Sequence, residues 1–137
     1  MIKWKEEYSV NFEEIDNQHK RLFEIGSKIY DIIELNDNCD HYDEIMEILN
    51  ELTDYTVFHF EYEENLLKNL GYPELENQKF EHMFFVKKLR KLASKDIDKD
   101  QNETASDIAK FVIDWVSGHI LKSDMQYKDF LKEKGIK

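Results

Sequence analysis

Apolar residues recur at intervals of three and four along most of the chain, the period of helices that bury one stripe. The first run spans about Asp16 to Leu35 and carries Leu22, Ile25, Ile29, Ile32 and Ile33. "NDNCDH" breaks it, and Asp40 is placed to cap the next helix. The second run extends from about Tyr42 to Leu70, with Ile45, Ile48 or Leu49, Leu52, Tyr55, Leu66 and Leu70 inward. "GYP" should end it: Gly71 suits the left-handed position after a helix, and Pro73 the first turn of the following one. A third helix is predicted from about Glu74 to Ser94, with Leu75, Phe85, Leu89 and Leu92 on its stripe. After the charged loop "KDIDKDQNE", a fourth starts near Thr104, where Thr104 and Asp107 resemble a capping box. It carries Ile108, Phe111, Val112, Trp115 and Val116, and a short helical tail follows from Met125 to Glu133. Residues 1–12 have no clear period and read as an extended arm, with Trp4, Tyr8, Val10 and Phe12 available for packing. Helices of about 20 residues joined by short loops predict an all-α, up-down-up-down antiparallel four-helix bundle, with an N-terminal arm and a short C-terminal helix.

Composition narrows the setting. A chain of 137 residues is long enough for one domain with a proper core, so residues 1–137 read as a single domain. A net charge of −11 argues against nucleic acid and against an anionic membrane surface. No apolar run approaches the ~20 residues that span a bilayer, and "MIKWKEEYSV" has no apolar signal segment. Cys39 is the only cysteine, so no internal disulfide is available, and a reducing cytoplasm is the expected location.

The polar residues on the inward stripes change the picture most. His41 falls in a break and reads as a solvated loop histidine, but the other four of the five histidines lie on inward faces of four different helices. His19 precedes Leu22 by a turn, His59 continues the Leu52 and Tyr55 stripe, His82 lies among Phe85 and Leu89, and His119 follows Trp115. Glu63 adds a carboxylate to that interior, which is costly to bury without a partner. Bound metal resolves the conflict, because neutral imidazole and ionised carboxylate are its ligands. His59 and Glu63, in "HFEYE", are four apart, an advance of about 400° that stacks them on one face. Gln78 and His82, in "QKFEH", repeat that spacing. Asp124 follows His119 by five, about 500° and so about 140° off the face of a straight helix. The helix must end, bulge or tighten there for both to ligate, and Gly118 makes a local distortion plausible. The donor set is nitrogen and oxygen without thiolate, too many for one zinc and suited to two first-row ions. Iron is favoured, with manganese or zinc as substitutes. "DIDKDQNETASD" lacks the glycine and glutamate of a calcium loop, and no histidine follows a glutamate by three as in ferritin-like bundles.

Across essentially its whole length the chain resembles the hemerythrin family. The arm "W-x3-YSV", "IDNQH", "HFEYE", "QKFEH" and "HILKSD" occur in family order with family-like separations. The family pattern is one His, then His-x3-Glu, then His-x3-His, then His-x4-Asp. The resemblance implies a non-haem di-iron centre, its two iron ions joined by an oxo or hydroxo bridge and bridged by Glu63 and Asp124. It implies that His19 and His59 hold the iron with an open position for dioxygen, and that His82 and His119 hold the other. The departure is Gln78, which stands where the family has histidine. It can ligate through its weak amide oxygen, hydrogen-bond to a ligating water, or turn away. Glu74 and Glu81 are close in sequence but are not placed as replacement ligands.

Two functions follow. One is reversible dioxygen binding for storage, transport or sensing, in a dry pocket that Phe23, Phe60, Trp115 and Val116 could supply. The other is a peroxide-reducing or oxygen-scavenging enzyme, with a second exchangeable position opened by Gln78. Either way the small-molecule partner is dioxygen or peroxide, and a monomer or weak oligomer is expected.

Overall fold

The computed structural model describes residues 4–35, 41–93 and 101–136. Five helices follow a short 3-10 turn at Glu6–Tyr8: α1 (Glu13–Leu35), α2 (Tyr42–Leu70), α3 (Leu75–Ala93), α4 (Gln101–His119) and α5 (Met125–Glu133). Helix α1 packs on α2 and α4, α2 on α3, and α3 on α4, which closes the four long helices into the expected bundle. No described helix is long and apolar enough to cross a membrane.

Several boundaries move, for local reasons. Helix α1 starts at Glu13, ahead of the expected Asp16. Asp16 lies in its first turn, where its carboxylate accepts from the Ser9 hydroxyl (2.6 Å) and the Val10 N–H (2.9 Å) and so ties the arm to the helix. The arm is therefore not simply extended: it carries the 3-10 turn and buries Tyr8 and Val10. Helix α4 begins at Gln101, so Thr104 lies inside the helix and does not cap it. Helix α3 begins at Leu75, and Pro73 precedes it in the turn. The proposed cap Asp40, the thiol of Cys39 and most of the charged loop (residues 95–100) lie outside the described residues. At the end of α2 the reading holds. Gly71 has φ 74°, its N–H reaches Lys68 O (3.1 Å), and the Tyr72 N–H reaches Leu67 O (2.9 Å). That crossed pair of bonds is the Schellman motif, and Tyr72 packs with Leu67 as the motif favours.

The core has two parts. The larger cluster includes Leu22, Ile25, Ile29, Leu52, Phe60, Phe85, Leu89, Ile108 and Val112. The smaller closes one end of the bundle with Val10, Ile15, Leu67, Tyr72, Tyr127 and Leu131. Leu67 is the fully buried leucine late in α2; Leu66 and Leu70, expected inward, only pack against its edge. Between the two clusters the interior is polar.

Candidate metal centre

Four helices and one distorted turn supply that polar layer. His19 lies between Ile15 and Leu22 on α1, Glu63 between Phe60 and Leu67 on α2, and His82 three residues before Phe85 on α3. His19 and Glu63 are thus placed by stripes with apolar residues on both sides, and His82 by Phe85 on one side and the buried Gln78 on the other. His119 closes α4, and residues Ile120–Asp124 form a π-helical turn in which the Met125 N–H reaches back five residues to Ile120 O. A π turn takes in one residue more than an α turn, so it brings Asp124 onto the face of His119 despite the spacing of five. The predicted distortion is therefore a bulge. It lies after Gly118, which remains within regular α4 and meets no close neighbour.

All seven residues singled out in the sequence converge. His19, His59, Glu63, Gln78, His82 and Asp124 are at most 2% exposed, and His119 is 6% exposed. Glu63 Oε2 lies 2.5 Å from His59 Nε2 and 3.7 Å from His19 Nε2, while its Oε1 lies 3.9 Å from His82 Nε2. Asp124 Oδ2 lies 3.2 Å from His19 Nε2, and its Oδ1 3.0 Å from His119 Nε2. Each carboxylate thus turns one oxygen to each half of the site. Two groups of donor atoms are close enough to hold a metal ion, His19–His59–Glu63 and Glu63–His82–His119, and they share Glu63.

The hydrogen bonds around the rim fix which way the imidazoles face. Gln18 Nε2 donates to Glu14 Oε1 (3.0 Å), leaving Gln18 Oε1 as acceptor for His59 Nδ1 (2.7 Å). Glu64, which can only accept when ionised, takes the His82 Nδ1 hydrogen at 2.9 Å. Both rings therefore turn Nε2 inward. His82 Nε2 meets His119 Nε2 at 3.2 Å, and both Glu63 oxygens and Asp124 Oδ2 are buried without a hydrogen-bond donor among the described residues. So many buried acceptors without donors are poorly tolerated by a protein interior and are what a cation requires. The residues present fit a metal pair.

The electrostatics agree. Burial alone would depress the His19 imidazolium, but Asp124 and Glu63 outweigh it and lift its pKa to about 9. His119 is likewise opposed by burial and raised to about 10, by Asp124, Glu81 and Glu63. Burial lowers His59, and the Glu63 charge does not fully compensate. Burial raises Glu63, yet His59, His19 and His82 together hold it well below the usual carboxylate range. Burial and Glu63 push Asp124 up, and His119 and His19 reverse that and leave it lowered. Without metal, then, protons on His19 and His119 neutralise the two carboxylates.

Several residues that support the site escaped the sequence reading. Gln18 and Glu64 orient His59 and His82. Glu81 accepts from the Ser123 hydroxyl (2.8 and 2.7 Å) and lies 3.7 Å from His119 Nδ1. Gln18 and Glu64 adjoin His19 and Glu63 in the sequence, and Glu81 adjoins His82, which was the available signal. Tyr127 is fully buried, and burial with the Asp124 and Glu63 charges holds its phenol protonated. Gln78 sits at the centre, its Nε2 donating to Asp124 Oδ1 (3.2 Å) and its Oε1 without a donor among the described residues.

A small space of about 10 Å³ lies against the centre, bordered by His19, His59, His119 and Asp124. Phe60, Trp115 and Val116 line it as expected, together with Leu22, Phe85 and Ile120. Phe23 does not; it packs on Tyr8 in the larger cluster, with ring centroids 5.3 Å apart. Thr56 also lines the space, but its hydroxyl donates to Leu52 O at 2.6 Å, so it offers no free donor.

The family profile of the hemerythrin HHE cation-binding domain matches residues 10–131. A bacteriohemerythrin of Clostridium acetobutylicum is 40% identical over 129 residues, covering 94% of this chain and 100% of that protein. A bacteriohemerythrin of Methylococcus capsulatus is 32% identical over 88% of both chains. One from Pseudomonas aeruginosa is 28% identical over 96% of this chain and 82% of its own.

Proposed function

The chain belongs to the hemerythrin family, and on that footing we propose that it is a non-haem di-iron protein that binds dioxygen reversibly, as a carrier, store or sensor. His19 and His59 hold one iron, His82 and His119 the other, and Glu63 and Asp124 serve both. One observation carries this reading: two histidine-containing donor groups share Glu63 beneath a small apolar space. Iron fits the nitrogen and oxygen donors, and manganese or zinc would fit the same atoms as substitutes. When bound, a pair of iron ions supplies the reversible two-electron exchange that dioxygen binding of this kind requires.

The chain's own residues set the conditions. Gln18 and Glu64 hold the His59 and His82 rings with their Nε2 atoms inward. Leu22, Phe60, Phe85, Trp115, Val116 and Ile120 exclude water from the small space beside the centre, which suits a small apolar molecule and limits proton-driven loss of electrons. The space is at the threshold for a single water, so side chains must yield slightly for dioxygen. Metal analysis of protein purified without added metal should give two irons per chain. Anaerobic reduction, then admission and removal of dioxygen, should produce a visible spectrum that appears and reverses. An irreversible change, or none, would overturn the binding role. A second reading, reduction of peroxide, is favoured by one observation: a cavity whose lining includes Glu74, Asn77, Glu81 and Lys122 reaches Gln78 from the surface.

A further inference from the structure

We propose that the cavity beside Gln78 is a second small-molecule site, on the His82–His119 half of the centre. It takes water and neutral hydroxylic molecules of the hydrogen peroxide class. Gln78 serves it as a hydrogen-bond partner and is not a metal ligand. The site rests on the di-iron reading and extends it.

The orientation of the amide comes first. The Gln78 Nε2 donates to Asp124 Oδ1 at 3.2 Å, so the amide nitrogen faces the aspartate and the carbonyl oxygen faces away from it. The Gln78 side chain is 2% exposed, and its carbonyl oxygen is left buried with no donor among the described residues. That oxygen calls for a molecule that brings an O–H. A cavity of about 240 Å³ adjoins Gln78 and opens at the surface between the exposed Glu74, Asn77 and Lys122. Its volume accommodates several molecules the size of water, at ~30 Å³ each.

The lining selects among small ligands. Glu74 and Glu81 contribute two carboxylates against the one ammonium of Lys122. The Ser123 hydroxyl is already committed to Glu81. An anion entering here meets a net negative wall, whereas water or HOOH carries the hydrogen that the buried Gln78 carbonyl oxygen lacks. The space bordered by His19, His59 and His119 differs in kind, being lined mostly by apolar side chains and only about 10 Å³. Dioxygen and peroxide would thus approach from different sides, and the glutamine accounts for the wet one.

The test uses the full chain loaded with Mn(II), with water-proton relaxation counting exchangeable waters per chain. Wild type and Gln78→Leu should give the same count, and Gln78→His, which restores an imidazole, one fewer. If Gln78 ligates, wild type will match Gln78→His and fall one below Gln78→Leu, which overturns the proposal. Equal counts in all three proteins also overturn it. Failure of wild type to retain two metals would overturn this site and the di-iron reading together, whereas the other failures leave that reading standing. In the reduced iron-loaded protein, hydrogen peroxide should oxidise wild type severalfold faster than Gln78→His, while azide binding should differ little. Equal peroxide rates, or a larger effect on azide, would overturn the preference for neutral ligands.

Discussion

Glu63 and Asp124 each turn one oxygen toward each half of the centre, so losing either removes a donor from both metals at once. Glu63→Ala and Asp124→Ala should each abolish two-metal binding, while His19→Ala, which removes one donor from one metal, should lose less. The metal-to-protein ratio after dialysis decides it, and a bridge variant that kept two metals would remove that carboxylate from the assignment. One step further out, Gln18 holds the His59 ring through a 2.7 Å contact. Gln18→Leu keeps the bulk but removes the acceptor, and should weaken metal binding by about 10–100-fold, the usual cost of losing such a partner. Competition with a chelator of known affinity would measure it. The inward histidines and Glu63 were legible because each interrupts an apolar stripe with a group that a core cannot hold alone. Gln18, Glu64 and Glu81 were not, because they lie beside the stripe, where polar residues are unremarkable. The replacement of Phe23 by Leu22 in the pocket wall has the same origin: periodicity chooses a face, and neighbours on one face can belong to different layers.

The π turn explains how Asp124, the one candidate ligand whose spacing argued against it, reaches the face of His119. Along α4 the inward residues Val112, Val116 and His119 follow steps of four and three, which would next predict positions 123, 126 and 130. Ser123 is still buried at 8%, but the residues at most 1% exposed are Asp124, Tyr127 and Leu131, each one position late. The slip is present in the sequence as a change of phase between α4 and the tail, visible only when the two segments are taken as one continuous helix. It makes the turn a one-residue insertion. Deleting Leu121, 45% exposed, should return the segment to plain α-helix with the aspartate now four after His119, about 400° around and still on the site. That variant should retain two metals. Inserting one alanine after Leu121 should swing the aspartate away and lose them. Metal analysis and far-ultraviolet circular dichroism on both variants test this, and loss of metal from a folded deletion variant would sink it. The displaced starts of α1 and α4 are of a simpler kind. Asp16 and Thr104 are good capping residues, yet each lies inside its helix, because a capping preference does not by itself fix where a helix begins.

For the whole molecule, the metal-free state should depend on pH in a way the loaded state does not. His19 and His119 have folded pKa values of about 9 and about 10 against an ordinary 6.5. A raised value stabilises the fold fully below 6.5, and the benefit is lost as pH rises through about 9 to 10. The depressed Glu63 and Asp124 act oppositely, stabilising above their ordinary 4.5 and 3.8 and losing that as the solution is acidified. His59, lowered by burial, adds to the loss on the acid side. The melting temperature of the apo protein should therefore peak at mildly acidic to neutral pH and fall toward pH 10. Metal replaces those protons, so the holo protein should melt higher and lack the alkaline decline; apo and holo curves of the same height and shape would count against a buried centre. The division of the core has a further consequence. Val10, Ile15, Leu67, Tyr72, Tyr127 and Leu131 form a cluster of their own beyond the polar layer, and in the loaded protein the ligands fasten it to the rest. Without metal that seam is held by a few shared protons, and the end of the bundle becomes a separate cooperative unit. Amide hydrogen exchange in Met125–Glu133 should then proceed by local opening in the apo protein, much faster than around Leu52. In the holo protein the two regions should exchange at rates closer together, because opening that end would first have to release the metals.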